Sequence, residues 1–247
     1  MKGWRLFRHA FRMVWDNRGT ALRITGLLFA FQLVPQIWWQ MQSDQTGVQG
    51  DLMVAPGLAL VMALWALASV VTSIWLAVAW HRYVLTGEDS GSWLPNWHGG
   101  LVLGYLGRTI LVGLIGIAAG VVFAVPLSIV LLFIPVLFLP ALLVYVAAIV
   151  FVLLRLSLIL PAVAMEKRMK LMASWEVTGT DLSGVLGLAA ILAAVSAVVP
   201  VGALFFGAIA MPLGLVWMVA ASWLLTLVSI TCLTTLYGVY VEGRDIP

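Results

Sequence analysis

The chain has 247 residues, 63% hydrophobic and only 9% charged, with a mean hydropathy of +1.10. A soluble domain carries about 25% charged residues, so this inventory cannot clothe a water-exposed surface of ordinary size. Thirteen Lys and Arg against ten Asp and Glu leave a net charge of +3, and the charges are clustered. Neither Thr109–Leu154 nor Leu182–Val241 contains a single Asp, Glu, Lys or Arg, although one bilayer crossing needs only about 20 residues. The expected class is therefore all-α, a polytopic helical membrane protein forming one integral domain over 1–247. The apolar stretches lack the in–out alternation of barrel strands, which excludes a membrane β-barrel. One cysteine, Cys232, allows no internal disulfide, and three scattered histidines (His9, His81, His98) suggest neither a metal site nor a cofactor.

Residues 1–23 carry Lys2, Arg5, Arg8, Arg12, Arg18 and Arg23 and are too long and aromatic for the n-region of a secretory signal. At 100° per residue, Trp4, Phe7, Phe11, Val14 and Trp15 fall on one face and Arg5, Arg8, Arg12, His9 and Asp16 on the other. This is a basic amphipathic helix, expected over 4–16 in the headgroup plane; packing against the bundle is a compatible alternative.

The first span is expected at about 24–39, closed by Trp38 and Trp39, and the second at 52–80, leaving through His81-Arg82-Tyr83. A polar loop to Arg108 follows, with Pro95, Gly99 and Gly100 as turn signals. The next charge-free interval would make about 69 Å of helix, enough for two spans, at 109–126 and 135–154. Pro126, Pro135 and Pro140 place their turn within 125–135. After a charged loop with Lys167, Arg168 and Lys170, the last two spans fill 184–206 and 212–240, turning near Gly207–Pro212. The result is six spans in three hairpins. Loops 40–51, 125–135 and 207–212 contain no Lys or Arg, so every basic segment falls on one side, the cytoplasm, together with both termini.

Two octets repeat. Trp15-Asp16-Asn17-Arg18-Gly19-Thr20-Ala21-Leu22 and Trp175-Glu176-Val177-Thr178-Gly179-Thr180-Asp181-Leu182 both read W-[D/E]-x-x-G-T-x-L, and each leads into a span. Tyr83-Val84 and Tyr240-Val241 follow at nearly the same offset, so 10–90 and 170–245 are expected to be copies of one helix–hairpin unit, with the middle hairpin as a degenerate third. Parallel repeats of this kind occur in transporters and elsewhere.

No nucleophile, base and orienter combination is visible, nor any HExxH, GxSxG or P-loop. No charge stands at mid-membrane depth, where one costs about 2.5–3.5 kcal/mol, which weakens an ion-coupled transport reading. A possible polar path is made of Gln32 and Gln36 on the first span with Ser222 and Thr226 on the sixth, although interhelical packing explains both stripes. Candidates for lipid-headgroup contact are Arg5, Arg8, Arg12, Arg108, Arg155, Lys167, Arg168 and Lys170, of which Arg108 and Arg155 flank the middle hairpin, where arginines commonly snorkel.

The stretch from Arg155 through Ser157, Leu158, Leu160, Pro161 and Ala162 to Glu166, followed by Ser174-Trp175-Glu176-Val177-Thr178-Gly179 before a span, reads roughly R-x-S-L-x-L-P-A-x-x-x-E and then S-W-x-x-T-G. It resembles the bacterial YciC-type membrane proteins and the membrane domain that precedes some glycerophosphoryl diester phosphodiesterases. The usual Arg before the glycine and Asn after it are replaced by Thr178 and Thr180. In those phosphodiesterases catalysis belongs to a separate barrel of about 250 residues, and the 247 residues here are taken up by spans and short loops. The resemblance thus implies a six-span inner-membrane protein without hydrolase activity.

These readings converge on a bacterial inner-membrane protein that is not an enzyme: a scaffold, assembly factor or partner subunit. A transporter or lipid-translocating permease is the rival. Expected partners are membrane lipids, anionic on the cytoplasmic face, and a membrane protein or a second copy, but no nucleic acid.

Overall fold

A computed structural model of the protein describes the backbone of residues 2–46 and 56–245 and the side chains of 2–35 and 57–245. Among these residues the chain is helical and contains no strand. The helices are α1 (Lys2–Asp16), α2 (Arg18–Thr46), α3 (Pro56–Thr86), α4 (Gly99–Phe133), α5 (Phe138–Leu156), α6 (Ile159–Ala164), α7 (Leu171–Gly179), α8 (Leu182–Ile209) and α9 (Met211–Tyr240). Five segments among them are long and apolar enough to cross a membrane: Gly57–Thr86, Gly99–Phe133, Pro135–Ala164, Leu182–Ile209 and Met211–Tyr240. The expected first span falls in α2, which is more polar, with Arg18 and Arg23 in its first two turns and Gln32 beyond them.

The helices run further than the expected spans. α4 starts ten residues before Thr109, at Gly99, and continues through Pro126 to Phe133. A proline inside a helix removes one backbone hydrogen bond, but unwinding in lipid would expose several backbone groups with no water to satisfy them. The break comes at Ile134, whose backbone (φ −135°, ψ 71°) has left the helical region that a residue before a proline, here Pro135, disfavours. Pro161 breaks the next helix differently, four residues before itself. It has no N–H for Ser157 O, which accepts from Leu160 N at 2.9 Å instead, and the chain turns from α5 into α6. α6 ends on a left-handed residue, Glu166 (φ 60°), with Glu166 N donating to Val163 O and Lys167 N to Ala162 O. That is a Schellman C-cap built without glycine.

α3, α4, α5, α8 and α9 close a circuit in which each packs on two others, in the order α3–α4–α5–α8–α9–α3. α6 sits against α3, α4 and α9, and all six of its residues are buried. α2 packs along α3, α7 on α5, and α1 across α8 and α9. The core is gathered at one end, where the charged loops and the two chain ends meet: Leu76, Val78 and Trp80 of α3, Leu154 and Leu156 of α5, Val185 and Leu188 of α8, and Leu227 and Leu236 of α9 are all buried there. Toward the far end the side chains point outward, as Leu132, Phe133, Val136, Leu139, Leu204 and Phe205 do.

α1 is divided into sectors. Leu6, Ala10 and Val14 are buried against the bundle, and beside them Trp4, Phe7, Phe11 and Trp15 stack in a ladder with ring centroids 5.8–6.3 Å apart. Trp4 and Trp15, at the ends of the ladder, are each 52% exposed. Arg8, Arg12 and Arg5 follow around the helix, exposed and facing away from the buried side. The packing that the sequence offered as an alternative is therefore present; it takes in Phe7 and part of Phe11, while Trp4, Trp15 and the basic sector stay outside it. The approach is closest at Gly3, where a Cβ would lie 2.6 Å from Leu188 N and 2.9 Å from Gly184 O. Lys2 pairs with Asp181 at 3.2 Å on the same contact. Since the obstructing atoms are backbone, Gly3→Val should lift the start of α1 off α8 at a cost of about 1–3 kcal/mol. Trypsin should then cut faster at Arg5 and Arg8 in lipid nanodiscs, whereas Gly19→Ala, at a position with open space, should leave cleavage unchanged.

Candidate functional site

Most polar side chains with partners lie at the charged end, and they form three linked groups. In the first, Trp80 Nε1 donates to Thr231 Oγ1 at 2.7 Å, and that hydroxyl donates to Leu227 O. The neighbouring His81 is fully buried, with Nδ1 2.7 Å from Thr234 Oγ1 and Nε2 3.2 Å from the Tyr105 hydroxyl. The single proton of Thr234 is directed at Ile230 O, so Nδ1 must donate to Thr234 and Nε2 accepts from Tyr105. A neutral imidazole thus joins α3, α9 and α4 with both of its nitrogens satisfied. Sequence reading passed over this group. Its one legible signal was a Trp-His pair at the end of an apolar stretch, with Thr231 and Thr234 one helical turn apart on α9.

The second group is built on Arg155, which is only 8% exposed. Its guanidinium lies over the Trp175 ring at 3.5 Å, donates from Nη2 to Trp175 O at 2.7 Å and from Nε to Thr178 Oγ1 at 3.3 Å. Ser174 Oγ returns a bond to Arg155 O at 2.6 Å. The arginine therefore stands between α5 and α7 and holds the middle of α7 through the Trp175 ring, the Trp175 carbonyl and the Thr178 hydroxyl. Arg155, Ser174, Trp175 and Thr178, picked out in the sequence as parts of one pattern, are brought together as one contact.

The third group latches the loop between α3 and α4. Arg82 donates from Nε to Glu88 Oε2 at 2.5 Å and from Nη1 to Ala164 O and Glu166 Oε1 at 3.0 and 3.1 Å. Glu88 also accepts from Asn96 Nδ2 at 3.0 Å and lies 3.1 Å from His98 Nε2. Trp75 closes the loop from below, edge-on to Trp97 and donating to Asn96 O. Arg23 pairs with Asp89. Beside α1, Asp181 caps α8 by accepting from Gly184 N at 3.1 Å and takes the Tyr240 hydroxyl at 2.8 Å. Burial alone would raise the Asp181 carboxyl, but bonds from Tyr240, Gly184 N–H and Lys2 outweigh it and hold its pKa below the ordinary value.

The remaining basic candidates have separate places. Arg108 is half-buried and turns back to Gly104 O at 3.1 Å. Lys167 is exposed and pairs with Glu242 at 3.2 Å, a bond that raises its pKa; Arg168 and Lys170 are exposed beside it. Of the expected polar path, Gln32 donates to Leu28 O on its own helix and Thr226 to Ser222 O on its own. The side chain of Gln36 lies outside the described residues. α2 and α9 do meet, through Trp223 Nε1 donating to Thr25 Oγ1 at 3.0 Å, but the larger cavities among the described residues do not include Gln32. A cleft of about 650 Å³ between α8 and α9 includes Ser222 and is otherwise lined by Pro200, Leu204, Met211, Leu215 and other apolar residues. A second, of about 440 Å³ between α4 and α5, is lined by Tyr145 and otherwise by apolar residues. Among the described residues no group of three or more His, Cys, Asp or Glu is placed to hold a metal.

The octets differ in where the helix breaks, at Asn17 in the first and at Thr180–Asp181 in the second. Each break nevertheless takes a tyrosine hydroxyl. Tyr83 donates to Asn17 Oδ1 at 2.9 Å and Tyr240 to Asp181 Oδ2 at 2.8 Å.

No family model, curated protein or solved structure matches this chain.

Two outcomes follow from these contacts. Lysine keeps the charge of Arg155 but loses the planar stack and the two-point grip, so Arg155→Lys should destabilise the protein by about 2 kcal/mol. Hydrogen exchange should show the loss first in 171–179. For Glu88, burial raises the pKa, but bonds from Asn96 and Arg82 with the charges of Arg82 and His98 lower it on balance. A depressed carboxyl stabilises the fold above its unfolded pKa of about 4.3, and that contribution disappears as pH falls through the lower folded value. Exchange in 87–98, corrected for intrinsic rates, should rise on acidification below about pH 4, and Glu88→Gln should show the raised exchange already at pH 7.

Proposed function

We propose that this is a six-span protein of the bacterial inner membrane that acts without catalysis, as a scaffold, assembly factor or partner subunit. α2 would supply the sixth span, giving three antiparallel hairpins (α2–α3, α4–α5, α8–α9) with the charged end and both termini in the cytoplasm. The absence of Lys and Arg from the loops at the far end supports this orientation. The resemblance to YciC-type membrane proteins agrees with it.

One observation carries the functional reading. The charged end is closed by its own packing, with α6 seated among α3, α4 and α9 and the Trp80–His81 groups bonded across them. A transporter or permease would need a polar route through this plug, and the polar side chains that could line one are bonded to their own helices. The long apolar faces of α4, α5, α8 and α9 are instead suited to lipid chains and to helices of a membrane partner or a second copy. α1 fits the boundary: its aromatic ladder sits a quarter turn from its buried face, with the arginines beyond, the order required of a helix with lipid chains on one side and anionic headgroups on the other.

The test has two parts. An impermeant thiol reagent added outside intact cells should label cysteines placed at Gln45 or Gly207 but not at Ser90 or Ala173. Labelling of Ala173 from outside would overturn the orientation. Crosslinking in the membrane, then purification in mild detergent, should recover a stoichiometric membrane protein or a dimer. A monomer without partners that carries a solute or lipid across reconstituted vesicles would establish the rival.

A further inference from the structure

A smaller cleft lies at the charged end, between α1 and the last turns of α3 and α9, with a volume of about 270 Å³. Its polar residues are His9 of α1, Thr234 and Thr235 of α9, and Arg244 and Asp245 of the tail, and Met13 and Val239 are among its apolar walls. Thr235 is the unusual member. Thr231 and Thr234 on the same helix each donate their hydroxyl to the carbonyl four residues back, but Thr235 Oγ1 has no partner although the residue is only 7% exposed. A buried hydroxyl left unbonded is costly, and its oxygen has almost no accessible surface, so a rotation about χ1 that turns it toward an acceptor held in the cleft would be favoured.

Charge narrows the choice. Arg244 offers a half-exposed guanidinium, but Glu242 faces it at 2.7 Å and its Nη2 also donates to Leu85 O at 3.3 Å. Asp245 adds an exposed carboxylate, and Lys167 lies on the far side of Glu242. The local charges nearly cancel. A bare dianion would meet Glu242 and Asp245, and a bare cation would meet Arg244. A ligand carrying both signs a few ångströms apart would meet neither conflict.

We propose that this cleft binds the phosphoethanolamine group, a phosphate diester and a primary ammonium two carbons apart, as the head of a zwitterionic phospholipid or as a free compound. The phosphate accepts from Arg244, His9 and Thr235, and the ammonium donates to Asp245. The walls at Met13 and Val239 take the apolar start of the lipid. The site is independent of whether the protein scaffolds or transports.

The test uses the whole protein in detergent, with native mass spectrometry after adding phosphatidylethanolamine, phosphatidylglycerol or soluble phosphoethanolamine. One phosphatidylethanolamine should be retained about tenfold more tightly than phosphatidylglycerol, and Thr235→Val and Arg244→Gln should each lower its retention about tenfold. Asp245→Asn, at an exposed tail position, should remove the preference between the two lipids without changing the unfolding midpoint, which keeps the test decisive if Arg244→Gln proves unstable. Binding of soluble phosphoethanolamine with the same residue dependence identifies the free compound as a sufficient ligand; retention of the lipid alone identifies the membrane as its source. Unchanged retention in Thr235→Val and Asp245→Asn, or equal retention of the two lipids by the unaltered protein, overturns the proposal.

Discussion

A polar group carried into the middle of an apolar bundle has no water to fall back on, so another helix must complete it. In this protein that constraint is concentrated in the plug at the charged end. Trp80, His81 and Tyr105 find partners in Thr231 and Thr234 or in one another, and both threonines are themselves tied to carbonyls of α9. Each bond fixes two helices in rotation and height, because a shift of one residue would turn the partner away. The groups thus give the bundle a definite register that apolar contacts alone, being non-directional, do not impose.

The rest of the charged end builds outward from this plug. Pro161 turns the chain out of α5 so that α6 can enter between α3, α4 and α9, and the left-handed Glu166 turns it out again. Arg82 then reaches Ala164 O and Glu166 from α3 and, through Glu88, holds the loop that leads into α4. Arg155, one turn before the break, fastens α7. Several of the few charges of the chain are therefore joints between segments. Where a guanidinium is buried, as in Arg155, stacking and hydrogen bonds replace the hydration it has lost.

α1 illustrates how one sequence pattern can serve two neighbours. Its 3.6-residue period separates aromatic from basic residues, and that much is readable from residue type. Gly3 and Ala10 stand out in neither sector, and Val14 falls with the aromatic residues, yet together with Leu6 they form the face that meets α8 and α9. Small residues carry little hydropathy signal, and what makes Gly3 a point of contact is the presence of Gly184 and Gly187 about 180 residues later in the chain.

The sequence by itself determined the helical membrane class, the approximate positions of the apolar segments and the clustering of charge. Each of these follows from local composition, because a bilayer demands long runs of apolar side chains and tolerates no unpaired backbone. The pattern from Arg155 to Thr178 was also legible as a set of residues that belong together. Only the tertiary structure decided what they do: that Arg155 is buried on Trp175, that Pro161 breaks a helix to make a plug, that α4 continues past Pro126, and that His81 joins three helices. Those outcomes depend on which distant helix supplies the missing hydrogen bond or the space, and such pairings, 20 to 153 residues apart here, leave no mark in any local window of sequence.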